Sequence, residues 1–142
     1  KTFYGFTKWM GEQVLENFSK SHNLTYCCGR IFSFYDKLQS KDFLFPSIKD
    51  KISKLKNENA LKITNAYNVI DIQKAENVAK IIVKLFEKKA IGIVNIGTGK
   101  GISVKNFATK LTKKKIIINT NKHNKTYYVA NIKKLNLITK ND

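Results

Sequence analysis

Apolar residues recur every fourth position near the start of the chain, where Phe6, Met10, Val14 and Phe18 form one stripe at helical spacing and "SHN" at 21–23 closes it. From Leu24 the pattern changes: "LTYCCGRIFSF" (24–34) is β-rich and unbroken, which predicts a buried strand. Residues 35–43 are polar and loop-like, Pro46 fits the first turn of a helix running to about residue 56, and "ALKIT" (60–64) predicts a short strand. "NVIDIQ" (68–73) predicts a second extended piece, and Val78, Ile81, Ile82 and Leu85 fall at i, i+3, i+4, i+7 of a helix. "IGIVNIGTGKG" (91–101) predicts a strand and a tight turn, and Val104, Phe107, Ala108 and Leu111 predict another amphipathic helix. "KIIINT" (115–120) and "TYYVA" (126–130) predict strands before a last helix at about 131–137. Helices and strands alternating at these lengths imply an α/β domain with some parallel pairing. There is no internal repeat and no low-complexity linker.

The 142 residues are one domain's worth of chain. The chain starts at Lys1, its one methionine is Met10, and a candidate motif lies at residues 4–8, so it is expected to be a fragment of a longer protein. No signal peptide is recognisable, and the apolar runs at 81–83 and 116–118 are far too short to span a bilayer, which predicts a soluble, cytoplasmic protein. Cys27 and Cys28 are adjacent and without further cysteines at ligand spacing, so they are expected to be two small buried thiols, with no metal site.

Charge changes the picture most. The net charge is +17, and the stretch between Glu87 and Asp142 holds thirteen lysines and no acid, which makes it a candidate footprint for nucleic acid or anionic lipid. Against that, Arg30 is the chain's one arginine, and arginine is the usual reader of guanine and clamp of phosphate. Lysine is interleaved with asparagine and isoleucine throughout, as a general compositional lean would have it. A lysine-rich nucleic-acid-binding module is therefore the alternative and not the first expectation.

The cluster "GTGKG" (97–101) follows a strand and precedes a helix, as a phosphate-cradling loop would. The third glycine of a dinucleotide fingerprint would fall at Ile102, no acid follows about 20 residues on, and the P-loop spacing is absent, so a tight turn is expected instead. His22 and His123 have no partners at ligand spacing and are expected at the surface, and no hydrolytic triad is visible. Tyr4 and Lys8 are one helical turn apart and can serve one site. In so lysine-rich a chain that spacing arises about once by chance, and Glu12, one turn further, offers Lys8 an ordinary ion pair. The chemistry is coherent nevertheless: a free phenol ionises near pH 10, and an adjacent ammonium favours the phenolate and brings it toward use as an acid or base.

Order along the chain separates these readings. "YGFTKWMGEQVLENF", "GRIFSFYD", "FPSI", "NVIDIQKAENVAKIIVKLFEK" and "GIVNIGTGKGISVKNFA" together resemble the C-terminal half of the extended short-chain dehydrogenases, the NAD-dependent epimerase/dehydratase family acting on nucleotide sugars. The resemblance implies the C-terminal part of a Rossmann-type parallel sheet with a small α/β substrate-binding domain, residues 1–34 supplying the catalytic helix and the following strand and 35–142 mainly the substrate-binding part. It implies NAD or NADP as cofactor, with Tyr4 as catalytic acid/base, Lys8 binding the nicotinamide ribose and making the phenol more acidic, and Phe32 near the nicotinamide. Arg30 opens a segment similar to the family's R-x-x-N-x-Y-G, with Ser33 where an asparagine usually meets substrate phosphates, so the resemblance implies Arg30 and Ser33 as substrate-binding residues. It also implies a homodimer through the helix at 4–20, with Trp9 and Met10 toward a second subunit, and a role in polysaccharide biosynthesis.

The departures are specific. Ser33 replaces the asparagine, Asp36 a glycine, and the family's "RDF" becomes Ile70, Asp71 and Ile72, so the arginine that often grips the diphosphate is lost while the acid remains. The glycine-rich cofactor loop and the catalytic serine or threonine would lie before Lys1, so the chain alone is expected to be inactive. The expectation is an NAD(P)-dependent nucleotide-sugar epimerase, dehydratase or ketoreductase, with a catalytically degenerate homologue as a further alternative.

Overall fold

The computed structural model describes residues 2–55, 60–113, 115–118 and 125–140. The predicted surface residue His123 lies outside the described residues, as does the end of the predicted strand at 115–120. The order is α1 (Phe3–Ser21), β1 (Cys27–Ile31), β2 (Ser33–Tyr35), α2 (Leu44–Ser53), β3 (Leu61–Ile63), β4 (Val69–Ile70), β5 (Ile72–Lys74), α3 (Ala75–Glu87), β6 (Gly92–Ile96), β7 (Ile102–Ser103), α4 (Val104–Thr109), β8 (Ile116–Ile118), β9 (Tyr127–Tyr128) and α5 (Lys133–Thr139). The fold is α/β with parallel pairs: β1 with β6, β2 with β5, β3 with β8 and β4 with β9, whereas β4 and β7 are antiparallel.

Local chemistry sets the boundaries. The Thr2 hydroxyl accepts from the Gly5 amide at 3.1 Å and caps α1. At the other end Asn23 takes φ 50°, a left-handed turn that asparagine tolerates, and the His22 ring stacks on Phe18 with centroids 4.0 Å apart. Ser103 caps α4 through the Asn106 amide at 3.1 Å.

Two apolar cores result. One gathers Phe45, Ile48, Leu61, Ile63, Ala66, Val104, Phe107 and Ala108, with Tyr35 packed between the rings of Phe45 and Phe107. The other gathers Val78, Leu85, Val94, Ile96 and Leu135, where the amphipathic α3 meets β6 and α5. Because β1 pairs with β6 in register from Cys27 opposite Gly92 to Ile31 opposite Ile96, the first segment of the chain is joined to a strand more than sixty residues on.

Two expectations are corrected. The strand predicted over 24–34 is broken at Phe32 into β1 and β2, which pair with different partners, and β1 is largely exposed because β6 is its one neighbour among the described residues. Cys27 is accordingly exposed and Cys28 half-buried, both unbridged, and not the two buried thiols expected. The α1 stripe does not enter either core: Phe6, Met10, Val14 and Phe18 are between 46% and 65% exposed, and Ser19 is the buried residue of the helix. None of the described helices is long and apolar enough to cross a membrane.

Candidate functional site

Residues 22–26 turn the chain back after α1, so the start of the helix lies toward the carboxyl end of β1, where parallel α/β sheets bind their ligands. Tyr4, Gly5, Lys8 and Glu12 from α1 and Cys28, Gly29, Arg30 and Ile31 from β1 line one open cleft of about 760 Å³. The Lys8 Nζ sits 5.3 Å from the centroid of the Tyr4 ring, so the i, i+4 geometry read from the sequence is realised. Tyr4 is 71% exposed.

Glu12 does not pair with Lys8. Its two carboxylate oxygens accept from Arg30 Nε at 2.6 Å and from Nη2 at 2.5 Å. These bonds hold the Glu12 carboxyl below its ordinary range and push the Arg30 guanidinium higher still. The ordinary helix-surface pair that would explain Lys8 away is thus absent, because a forked, charge-assisted contact outcompetes a single ammonium. Among the described residues no carboxylate forms an ion pair with Lys8. A phenol and an ammonium lining one cleft are groups that can hydrogen-bond to hydroxyls.

Phe32 and Ser33 line a different cleft, of about 530 Å³, with Phe34, Phe43, Asn68, Ile70 and Tyr128 among its walls. No described lining residue carries a charge, and Ile70 occupies this wall where the resemblance implies an arginine. The predicted site residues therefore fall into two groups, Tyr4, Lys8 and Arg30 at one cleft and Phe32 and Ser33 at the other, with Arg30 engaged by Glu12.

Asp71, next along from Ile70, is 1% exposed and turns away from the clefts. Its oxygens accept from the Thr98 amide at 2.9 and 3.1 Å, the Thr98 hydroxyl at 2.6 Å, the Gly99 amide at 2.9 Å and the Ala130 amide at 3.2 Å. The "GTGKG" segment is thus a turn wrapped on a buried carboxylate, as expected of a tight turn, although the two-residue β7 intervenes before α4. Gly97 and Gly101 are required for clearance: a Cβ at 97 would lie 2.5 Å from Ala130 Cβ, and one at 101 would lie 2.5 Å from Val69 Cγ1. Gly99 takes φ +70°. The sequence signal for this knot was an acid retained inside an otherwise altered "RDF" segment.

Comparison with solved structures finds the same fold. UDP-glucuronic acid 4-epimerase from Bacillus cereus in complex with NAD superposes with a TM-score of 0.78 at 20% identity, over 98% of this chain and 44% of that one. RMD from Pseudomonas aeruginosa complexed with NADPH gives 0.87 at 14% identity, over 99% of this chain and 50% of that one. dTDP-glucose 4,6-dehydratase from Bacillus anthracis in complex with NAD gives 0.78 at 19% identity, over 96% and 45%. The chain thus spans half or less of the length of these structures. No curated protein sequence matches it. The GDP-mannose 4,6-dehydratase family model matches residues 1–140. With a match over nearly every residue, and with the Tyr4–Lys8 pair and the wrapped glycine turn on the fold the resemblance implied, the chain belongs to the GDP-mannose 4,6-dehydratase family of NAD-dependent epimerases and dehydratases.

Proposed function

We propose that this chain is the acid–base and substrate-binding part of an NAD(P)-dependent nucleotide-sugar epimerase or dehydratase. The observation that carries the reading is Lys8, placed over the Tyr4 ring with no carboxylate to neutralise it among the described residues. Tyr4 and Lys8 would hold the ribose hydroxyls next to the nicotinamide, and Phe32, one residue past β1, would cover its ring. The nicotinamide, when bound, accepts and returns a hydride at a sugar carbon. Tyr4 moves the accompanying proton: its oxygen takes the proton of the sugar hydroxyl as the carbonyl forms, and returns one on reduction. Lys8 supports the negative charge on that oxygen.

The outward stripe of α1, with Trp9 and Met10, supports a second subunit on that face. Two unbridged cysteines are in keeping with a reducing, cytoplasmic setting. The uncharged cleft beside Ile70 favours a second reading, a homologue that keeps the fold without turnover. Tyr4→Phe separates the two when hydride transfer is measured on a polypeptide that unites this chain with a nucleotide-binding half. Loss of roughly 10²–10⁴-fold in rate is expected of the enzyme. No transfer to begin with, on any nucleotide sugar, would leave the degenerate homologue.

A further inference from the structure

Three ion pairs at i, i+4 spacing occur on the described helices, Glu16 with Lys20, Asp50 with Lys54 and Glu76 with Lys80, and in each the acid comes first. That order is the favourable one, since acid toward the helix start and base toward its end complement the helix dipole. Lys8 and Glu12 have the same spacing in the reverse order. Their pairing would be weak but available, and Arg30 pre-empts it with a forked contact from β1. Among the described residues, the titratable or charged groups that line the cleft with Glu12 are Lys8 and Tyr4 on its own helix and Cys28 and Arg30 on β1, and Glu16, one turn on, is engaged by Lys20.

We infer that Arg30 is a positioning residue that acts through Glu12: by occupying both carboxylate oxygens it keeps the charge of Lys8 available to the Tyr4 phenol. The inference rests on Tyr4 and Lys8 being the acid–base pair and adds a role for the chain's one arginine. That role is other than the substrate contact implied by the resemblance. Removing Arg30 leaves Glu12 facing Lys8 across one helical turn, and an ammonium paired with a carboxylate no longer favours the phenolate beside it.

The exchange is read by carbon-13 NMR titration of the Glu12 carboxyl in the 142-residue chain. In Arg30→Met the Glu12 midpoint is expected to stay below that of Arg30→Met/Lys8→Met, because Lys8 has replaced the guanidinium. Hydride transfer by a polypeptide that unites this chain with a nucleotide-binding half is expected to slow several-fold in Arg30→Met. The rate should return in Arg30→Met/Glu12→Gln, which a merely structural role of Arg30 would not produce. Identical Glu12 curves with and without Lys8 in the Arg30→Met background overturn the inference. Should Arg30→Met fail to fold, Arg30→Lys, which keeps the charge but not the fork, takes its place with and without Lys8→Met, and identical Glu12 curves again overturn it. Failure of the enzyme reading looks different: the carboxylate changes partner as described while Tyr4→Phe leaves hydride transfer intact.

Discussion

The Glu12 carboxylate accepts two bonds from Arg30, at 2.6 and 2.5 Å, and so fastens the helix that carries Tyr4 to the strand that ends beside it. The Glu12 side chain is only 12% exposed, and the pair links residues eighteen apart in sequence. It is a polar tie between α1 and β1.

That tie has a pH signature. The Glu12 carboxyl is held below its ordinary value of 4.5, chiefly by the Arg30 hydrogen bonds, so the folded state binds its proton more weakly than the unfolded state. The stabilisation is therefore complete above about pH 4.5 and is lost as pH falls through the lowered folded value. Urea midpoints measured from pH 7 down to pH 3 should fall less steeply in Glu12→Gln than in the wild-type chain. At pH 7 Glu12→Gln should cost about 1 kcal/mol, as a bidentate pair whose arginine is about half exposed would.

Asp71→Ala should be far more damaging. It strands the amides of Thr98, Gly99 and Ala130 and the Thr98 hydroxyl, all now directed at one buried carboxylate. A loss of about 3 kcal/mol or more is expected by denaturant titration. Asp71→Asn, which keeps one acceptor oxygen, should fall between Ala and the wild type.

Gly97→Ala tests the wrapping of the turn by volume alone. Its new methyl would meet Ala130 Cβ at 2.5 Å and Asp71 Oδ2 at 2.7 Å, and that oxygen is held by the amides of Thr98, Gly99 and Ala130. A destabilisation of about 1–3 kcal/mol is expected, and the Gly97→Ala/Asp71→Ala double variant should lose less than the sum of the two, since they share one knot.

The outward stripe makes a prediction about assembly. If α1 pairs with a second copy, Phe6→Glu with Met10→Glu should shift sedimentation toward the monomer while leaving the circular dichroism unchanged, because both side chains are about half exposed in the single chain. An unaltered sedimentation profile would remove α1 as the contact.

Much of the element order was legible from periodicity alone, because α3 and β6 bury a simple pattern: Val78 and Leu85 on one helix face, Val94 and Ile96 on one strand face. Tyr4 and Lys8 were legible because a helix fixes what lies one turn away. Burial at β1 was not, since a β-rich stretch such as 24–34 records a taste for being covered and not whether a neighbour is present to cover it. Nor was the fate of Glu12: residue spacing offered Lys8 as its partner, and only the return of β1 alongside α1 brought Arg30 within reach. The Asp71 knot likewise unites positions 27 to 59 residues apart, beyond any local pattern.

Among the described residues β1 pairs with β6 alone, and that open edge bears on how the polypeptide behaves in a test tube. Alternate residues of β1 offer main-chain donors and acceptors along the side away from β6, with Arg30 as the lone charge in the strand. Such a seam recruits strands from other molecules, so concentrated solutions of the polypeptide will tend to stack edge to edge and cloud. A fusion or co-expressed segment that lays a strand along that seam is the natural way to keep it clear.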